Sequence, residues 1–292
     1  MRSFSHIGLY GRTFNDVIVH TLKTLLAHLE EQGYRVCVEE KTANALSLKD
    51  YSRFSTQHMP TNIELMLVVG GDGSMLDAAH KVIQHQIPLL GVNRGNLGFL
   101  TDIYPESLED QLNSILSGEY STEQRFMLHV DHKGYRHYAL NEFTVSAHEG
   151  PQLMGYEIYV DGKLMCHQRS DGLIIATPTG STAYALSGGG PILHPSLNAM
   201  VLVPMFPHTL TMRPIVISGD STITLRITST KTISVRIGAD SQHDFILPKE
   251  EILTIQKEPT PLILVHPLSY NYYDSLRSKL HWAKSPVSIG SD

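Results

Sequence analysis

Leu65-Met66-Leu67-Val68-Val69-Gly70-Gly71-Asp72-Gly73-Ser74-Met75-Leu76 decides the architecture of this chain. Its apolar run is bounded by glycines, is short for a helix, and reads as a strand buried on both faces. Directly afterwards Met75, Leu76, Ala78, Ala79, Val82 and Ile83 recur at helical spacing, which predicts a helix over residues 74–85. Gly70, Gly71, Asp72 and Gly73 therefore form a turn from a buried strand into a helix. Glycines let the backbone approach a ligand closely, and the N–H groups at a helix start make a phosphate cradle. A carboxylate among such amides is electrostatically awkward unless it handles a proton or a metal ion. An ordinary turn with an N-capping Asp explains Asp72 as well, and these residues alone leave both readings open.

The surroundings continue the pattern. Residues 6–10 and 35–39 read as strands on either side of a helix over 16–32, where Ile18, Leu22, Leu25, Leu26 and Leu29 share one face and Gly33 ends it. A strand over 88–92 and a helix over 108–116, stopped by Gly118, follow the central turn. Alternating strands and helices imply a parallel sheet covered on both faces. Ligands of such sheets bind beyond the carboxyl ends of the strands, where residues 70–73 lie.

From about Arg125 the texture changes to short β-like runs, at 126–130, 135–140, 143–146 and 156–160. Lys133-Gly134 and Asp161-Gly162 mark tight hairpin turns between them. Further strands are expected at 173–176, 200–203, 215–217, 222–227, 233–237, 252–255 and 262–265, with one helical interruption near 181–186 and a last helix near 274–282. The expected organisation is an α/β domain over 1–123 with a parallel sheet and a β-rich, sandwich-like domain over 124–266. The final helix, within about 267–292, is expected to return to the first domain.

Bulk properties narrow the function classes. A chain of 292 residues with 41% hydrophobic content builds one large or two ordinary domains. A net charge of −6 argues against a nucleic-acid surface as the main task. The two cysteines, Cys37 and Cys166, form no CxxC pair, so a disulfide scaffold is excluded and a reducing compartment fits. No apolar run is long enough for a transmembrane helix and no secretory leader opens the chain, so a cytoplasmic protein without a membrane partner is expected. The 16 histidines show no metal-ligand spacing; His80 with His85, and His132 with His137, are each five apart.

Four further segments carry candidate chemistry. Asn93-Arg94-Gly95-Asn96-Leu97-Gly98-Phe99-Leu100 follows a buried strand and offers glycines, amides and one guanidinium. Asn141-Glu142 sets a donor–acceptor amide beside a carboxylate, which suits a base edge or ribose diol and equally suits a plain turn. Asp171-Gly172-Leu173-Ile174-Ile175-Ala176-Thr177-Pro178-Thr179-Gly180-Ser181-Thr182-Ala183-Tyr184 runs a strand into a hydroxyl-rich turn and then a helix. There Ser181 and Thr182 offer hydrogen bonds and Tyr184 a flat face for stacking a base. Asp240-Ser241-Gln242 follows a strand and, taken alone, reads as a turn. GxxxxGK[ST] is absent, which removes P-loop NTPases; the lack of an N-terminal GxGxxG weakens a Rossmann dehydrogenase reading, and there is no GxSxG elbow.

With these motifs in this order, the sequence resembles the bacterial NAD kinases over nearly its whole length. The string at 171–184 is the most specific part; Ser74 stands where many relatives carry Thr and keeps the hydroxyl. The resemblance implies transfer of the γ-phosphoryl group of ATP to the adenosine 2′-hydroxyl of NAD, giving NADP, with a divalent cation such as Mg²⁺ and a homo-oligomer, dimer or tetramer. It implies Asp72 as the catalytic group and Gly70, Gly71, Gly73, Asn93, Arg94, Gly95, Gly98 and Phe99 around the donor phosphates. It further implies Asn141, Glu142, Arg169, Asp171, Thr182, Ala183, Tyr184, Ser187, Asp240 and Gln242 in nucleotide binding. Diacylglycerol and sphingosine kinases share the GGDG turn and are the alternative. They place Asn-Glu shortly after the turn, whereas here Ser74-Met75-Leu76-Asp77 fills that stretch.

Overall fold

The computed structural model describes residues 3–12, 14–55, 58–94, 98–104, 107–148, 150, 152–228, 234–248 and 250–282. Two compact units emerge: Met1–Glu123 with Ile263–Asp292, and Gln124–Leu262.

The first unit is built on a sheet whose strands lie in the order Ser52–Phe54, Arg35–Glu39, His6–Gly11, Leu65–Gly70, Leu89–Asn93, Leu262–Pro267 and Tyr120–Arg125. The first six of these pair in parallel. Every residue of Leu65–Gly70 and Leu89–Asn93 is buried, which is why these strands read as unbroken apolar runs. The helix Asp16–Glu31 starts where the Asn15 side chain accepts the Ile18 N–H, and it buries Ile18, Leu22, Leu25, Leu26 and Leu29. Each such side chain contributes about 1.5–3 kcal/mol of burial, so a Leu22→Ala change would break the packing of this layer. The chain turns out of that helix through Gln32 and Gly33, whose φ of 72° is left-handed. Sheet order reverses between His6–Gly11 and Leu65–Gly70, and such a reversal opens a ligand crevice at the carboxyl ends of the two strands.

The helix after the glycine turn is Asp72–Val82, continued by a 3-10 turn over Ile83–His85. It begins two residues ahead of the expected Ser74, because Gly71 rather than Asp72 occupies the N-cap. The return strand Leu262–Pro267 carries His266, which is 2% exposed and contacts Asp102 through Nδ1 and Glu123 through Nε2 at 3.2 Å. The last described helix, Tyr272–Leu280, buries Tyr272 and Leu276. Residues 283–292, part of the expected terminal helix, lie outside the described residues.

The second unit is a sandwich of two antiparallel sheets. Leu128, Val130, Ile158, Leu225 and Ile255 from one sheet meet Val145, Leu173, Ile175, Leu202 and Ile237 from the other in a common core. The strand Gly172–Ala176 is apolar throughout because both of its faces are covered. Leu173 and Ile175 point into the sandwich, while Ile174 and Ala176 pack with Ala185 and Leu193 on its outside. Both predicted hairpin turns have two consecutive left-handed residues, Lys133 and Gly134 at φ 50° and 80°, and Asp161 and Gly162 at 50° and 75°. Of the strand expected at 233–237, residue 233 lies outside the described residues and the strand runs Ser234–Ala239. Among the described residues no helix is long and apolar enough to cross a membrane.

Candidate active site

Two groups of site residues form, one in each unit. In the first unit Gly70 pairs with Asn93 across neighbouring parallel strands, and the Arg94 N–H donates to the Gly70 carbonyl at 3.0 Å. The two glycine-rich loops therefore leave the sheet side by side. Asp72 does not cap its own helix. Instead its carboxylate accepts the Phe99 N–H at 3.0 Å on both oxygens, the Leu100 N–H at 3.0 Å on Oδ1 and the Lys279 ammonium at 2.9 Å on Oδ2. The first turn of a helix also favours negative charge there. Gly98 makes this clasp possible, because a Cβ at that position would collide with Asp72 Oδ1. The Asp72 side chain remains 27% exposed and thus reachable by a ligand. Arg12, leaving the neighbouring strand His6–Gly11, donates to the Gly73 carbonyl at 3.0 Å. Of the expected donor-phosphate residues, Gly70, Gly71, Gly73, Asn93, Arg94, Gly98 and Phe99 belong to this neighbourhood; Gly95 lies outside the described residues.

In the second unit the organiser is Asp240. Its carboxylate accepts the N–H groups of Leu140 at 2.8 Å, Asn141 at 2.7 Å and Glu142 at 3.1 Å. Asp240 and Ser241 both adopt left-handed backbone, at φ 51° and 53°, which the three backbone bonds hold in place. The Thr177 N–H donates to the Asn141 carbonyl at 2.8 Å, and Gly180 approaches that carbonyl so closely that a Cβ would strike it. The hydroxyl-rich turn is thereby pressed onto the Asn141-Glu142 corner. Glu142 is 3% exposed, and its pKa is pushed up to about 8, first by burial and second by the charge of Asp240. The Tyr184 N–H, donating to the carboxylate, opposes that rise, and Glu142 Oε2 is left without a hydrogen-bond partner in the structure. A buried polar atom in that condition is suited to a ligand hydroxyl. Thr182 and Ala183 are half-buried beside the corner, and Tyr184 and Ser187 are exposed. Gln242 is half-buried on the Asp240 turn, its N–H bonded to the Ala239 carbonyl at 3.0 Å. Ser181 differs from expectation: it is fully buried, donating to the Pro178 carbonyl at 2.6 Å and accepting the Leu193 N–H at 2.9 Å, so it serves the turn itself.

Asp171 and Arg169 stand apart from that corner. The register places Ala176 opposite Glu142 and Gly172 opposite Ser146, so Asp171 sits at the far end of the strand Gly172–Ala176. At ~3.3 Å per residue the strand separates the two ends by roughly 16 Å. Asp171 lines a separate cavity of 380 Å³ with His148, Arg236, Met205 and Phe206, while Arg169 is exposed on the preceding strand, Lys163–Ser170, of the other sheet.

Sequence reading missed Lys279 and Arg12. Nothing local marks Lys279, whose partner Asp72 is 207 positions away. Arg12 had a readable signal in its place just past a strand that ends at the crevice. Among the described residues no group of three or more His, Cys, Asp or Glu side chains is arranged to hold a metal ion.

Comparison with known proteins agrees with the fold and the motif order. The ATP-NAD kinase N-terminal domain matches residues 7–120 and the ATP-NAD kinase C-terminal domain matches residues 140–266. The chain is 42% identical to an NAD kinase of Pseudomonas putida (strain W619) over 97% of both chains. It is 41% identical to an NAD kinase of Pseudomonas syringae pv. syringae (strain B728a) over 100% of both. A yeast NADH kinase complexed with NADH superposes with a TM-score of 0.86 at 21% identity, covering 99% of this chain and 90% of that one. An NAD kinase from Archaeoglobus fulgidus in complex with ATP superposes at 0.74 with 24% identity, covering 94% and 99%. These two likenesses concern the fold, whereas the domain models and the full-length relatives select dinucleotide kinases over the lipid kinases that share the GGDG turn. On those matches the chain belongs to the ATP-NAD kinase family.

Proposed function

We propose that Asp72 receives or orients the proton of the adenosine 2′-hydroxyl of NAD while the terminal phosphoryl group of ATP is transferred to it. The reaction class, phosphotransfer from ATP to NAD giving NADP, follows from the family. The carrying observation for the role is the carboxylate on the turn, fixed by two backbone amides and an ammonium and still 27% exposed. Phosphoryl transfer depends mainly on positioning and charge neutralisation, and a carboxylate with one imposed orientation meets the first need. Amides of residues 70–73 and of Gly98 hold the donor phosphates, with Arg94 as a nearby cation. Asn141 and Glu142 grip the ribose, helped by the unpartnered Glu142 Oε2, and Thr182, Ala183 and Tyr184 frame the base. Gln242, carried on the Asp240 turn, and Ser187 contribute to nucleotide binding on the same side.

A divalent cation such as Mg²⁺ fits this donor set in one way only. Mg²⁺ is commonly held by substrate phosphates, waters and one or two carboxylates rather than by an all-protein cage. Asp72 is the carboxylate at hand; when bound, the ion supplies neutralisation of phosphate charge.

The site is completed by a second copy of the chain. Support comes from the separate cavity that Asp171 lines, roughly 16 Å along the strand from the Glu142 corner, which leaves Asp171 open to a dinucleotide held by a neighbour. Co-expressed Asp72→Ala and Asp171→Ala chains, each inactive alone, should then regain part of the activity in mixed oligomers verified by native mass spectrometry. Mixed oligomers as inactive as their parents would confine each pocket to one chain. The overall reading is tested with purified protein, NAD and ATP, reading NADP with a specific dehydrogenase; absence of NADP formation across divalent cations would refute it.

A further inference from the structure

The geometry points to Lys279, on the last described helix, as a positioning residue for Asp72 that the family motifs do not contain. The inference rests on the reading of Asp72 given above. A carboxylate offers about four acceptor positions on two oxygens. Oδ1 takes the Leu100 N–H and shares the Phe99 N–H, but Oδ2 has only its share of that Phe99 N–H and the Lys279 ammonium at 2.9 Å. Without Lys279, the amides tether one oxygen firmly and the other weakly, and the side chain is free to swing about that tether.

Many exposed ion pairs contribute nothing measurable, so the placement of this one has to be more than chance. Three observations set it apart. Tyr272, Leu276 and Lys279 follow one another at i, i+4 and i+7, so the ammonium projects from the face that buries Tyr272 and Leu276. Arg277 and Asp274 pair with each other elsewhere on the same helix. The Lys279 ammonium also lies 4.5 Å from the centre of the Phe99 ring, and Phe99 is the residue whose N–H bridges both Asp72 oxygens. The Phe99 ring in turn lies 6.4 Å from that of Tyr272 at the start of the helix. The cation therefore ties the helix, the aromatic ring and the carboxylate into one unit. Its side chain is only 35% exposed, which limits screening by water.

The test compares Lys279→Met, which keeps the stem and removes the charge, with Lys279→Arg, which keeps the charge. Asp72→Asn is assayed in parallel. Lys279→Met should lower kcat about tenfold while KM for NAD and for ATP changes by less than about twofold, since a mispositioned group costs turnover rather than binding. Lys279→Arg should recover kcat to within about threefold of the natural enzyme. Thermal unfolding of both variants should stay close to that of the natural chain, and Lys279→Gln substitutes if the Met variant does not fold. Natural turnover in Lys279→Met with an inactive Asp72→Asn overturns the role of Lys279 alone. Equal losses in the Met and Arg variants, or an effect on KM without one on kcat, overturn it too. Active Asp72→Asn enzyme would instead overturn the reading of Asp72 beneath it.

Discussion

Asp72 and Glu142 are both carboxylates on the first residue of an element, the helix Asp72–Val82 and the strand Glu142–Ala147, yet their surroundings are opposite. Asp72 is ringed by donors, with two amides, an ammonium and a helix start around a partly exposed side chain. Glu142 is buried beside a second acid, has one amide to accept from and keeps one oxygen without a partner. The first arrangement fixes a carboxylate in space, and the second pushes the pKa of the carboxyl up to about 8. The contrast shows that what is packed around a carboxylate sets its orientation and its protonation.

The comparison breaks most sharply at Asp72. Asp72→Asn keeps the shape and removes the basicity, so kcat should fall by about 10²–10⁴ with NAD affinity held. Steady-state kinetics with calorimetric NAD binding checks this, and near-natural kcat would dissolve the contrast. Next comes the scaffold of the other acid. Asp240→Ala strands the buried N–H groups of Leu140 and Glu142 and the half-buried one of Asn141. It should cost about 3 kcal/mol or more of stability, read as a lower thermal midpoint, together with weaker NAD binding. An unchanged midpoint would mean that the corner does not depend on Asp240.

Gly98→Ala adds one methyl group aimed at Asp72 Oδ1 and touches no charge. It should lower kcat roughly tenfold or more by displacing the carboxylate. Full activity would show that the clasp opens freely during turnover. The last test sharpens the other side. The Glu142 carboxyl is raised from 4.5 to about 8, so in that window the folded chain keeps a proton that the unfolded chain has released. The associated stability is complete below pH 4.5 and is lost as pH rises through 8, at up to about 1.4 kcal/mol per pH unit. Glu142→Gln removes this slope. Its thermal midpoint, relative to the natural chain, should therefore rise between about pH 6 and about pH 9, whereas parallel midpoints would show that Glu142 is not protonated in the fold.

The sequence was legible wherever a segment is buried on one stripe or on both faces. Residues 65–69, 88–92 and 173–176 announced themselves as apolar runs, and the helix at 16–31 by its leucine spacing. The strands that escaped are Ser52–Phe54, Tyr120–Arg125, Lys163–Ser170 and His243–Pro248, and each is the outermost strand of its sheet. An edge strand has one neighbour and much exposed surface, so polar residues such as those of Tyr120–Arg125 carry little periodic signal. The short helix Glu40–Ala45 is below the length at which periodicity speaks. At the site, turn chemistry and motif order named Asp72, Glu142 and Asp240. The clasp on Asp72 was hidden because its parts come from residues 72, 99, 100 and 279, which meet only through the sheet and the returning chain.

That returning chain sets a schedule for synthesis. The strand Leu89–Asn93 emerges early, but its neighbour Leu262–Pro267 is made only after the whole second unit. At ~5–20 residues per second, roughly 170 intervening residues occupy the ribosome for about 9–34 s. Throughout that interval the nascent first unit carries an unpaired sheet edge and an Asp72 without its ammonium partner. The Asp72 carboxylate therefore meets its ammonium partner only after the second unit has been made.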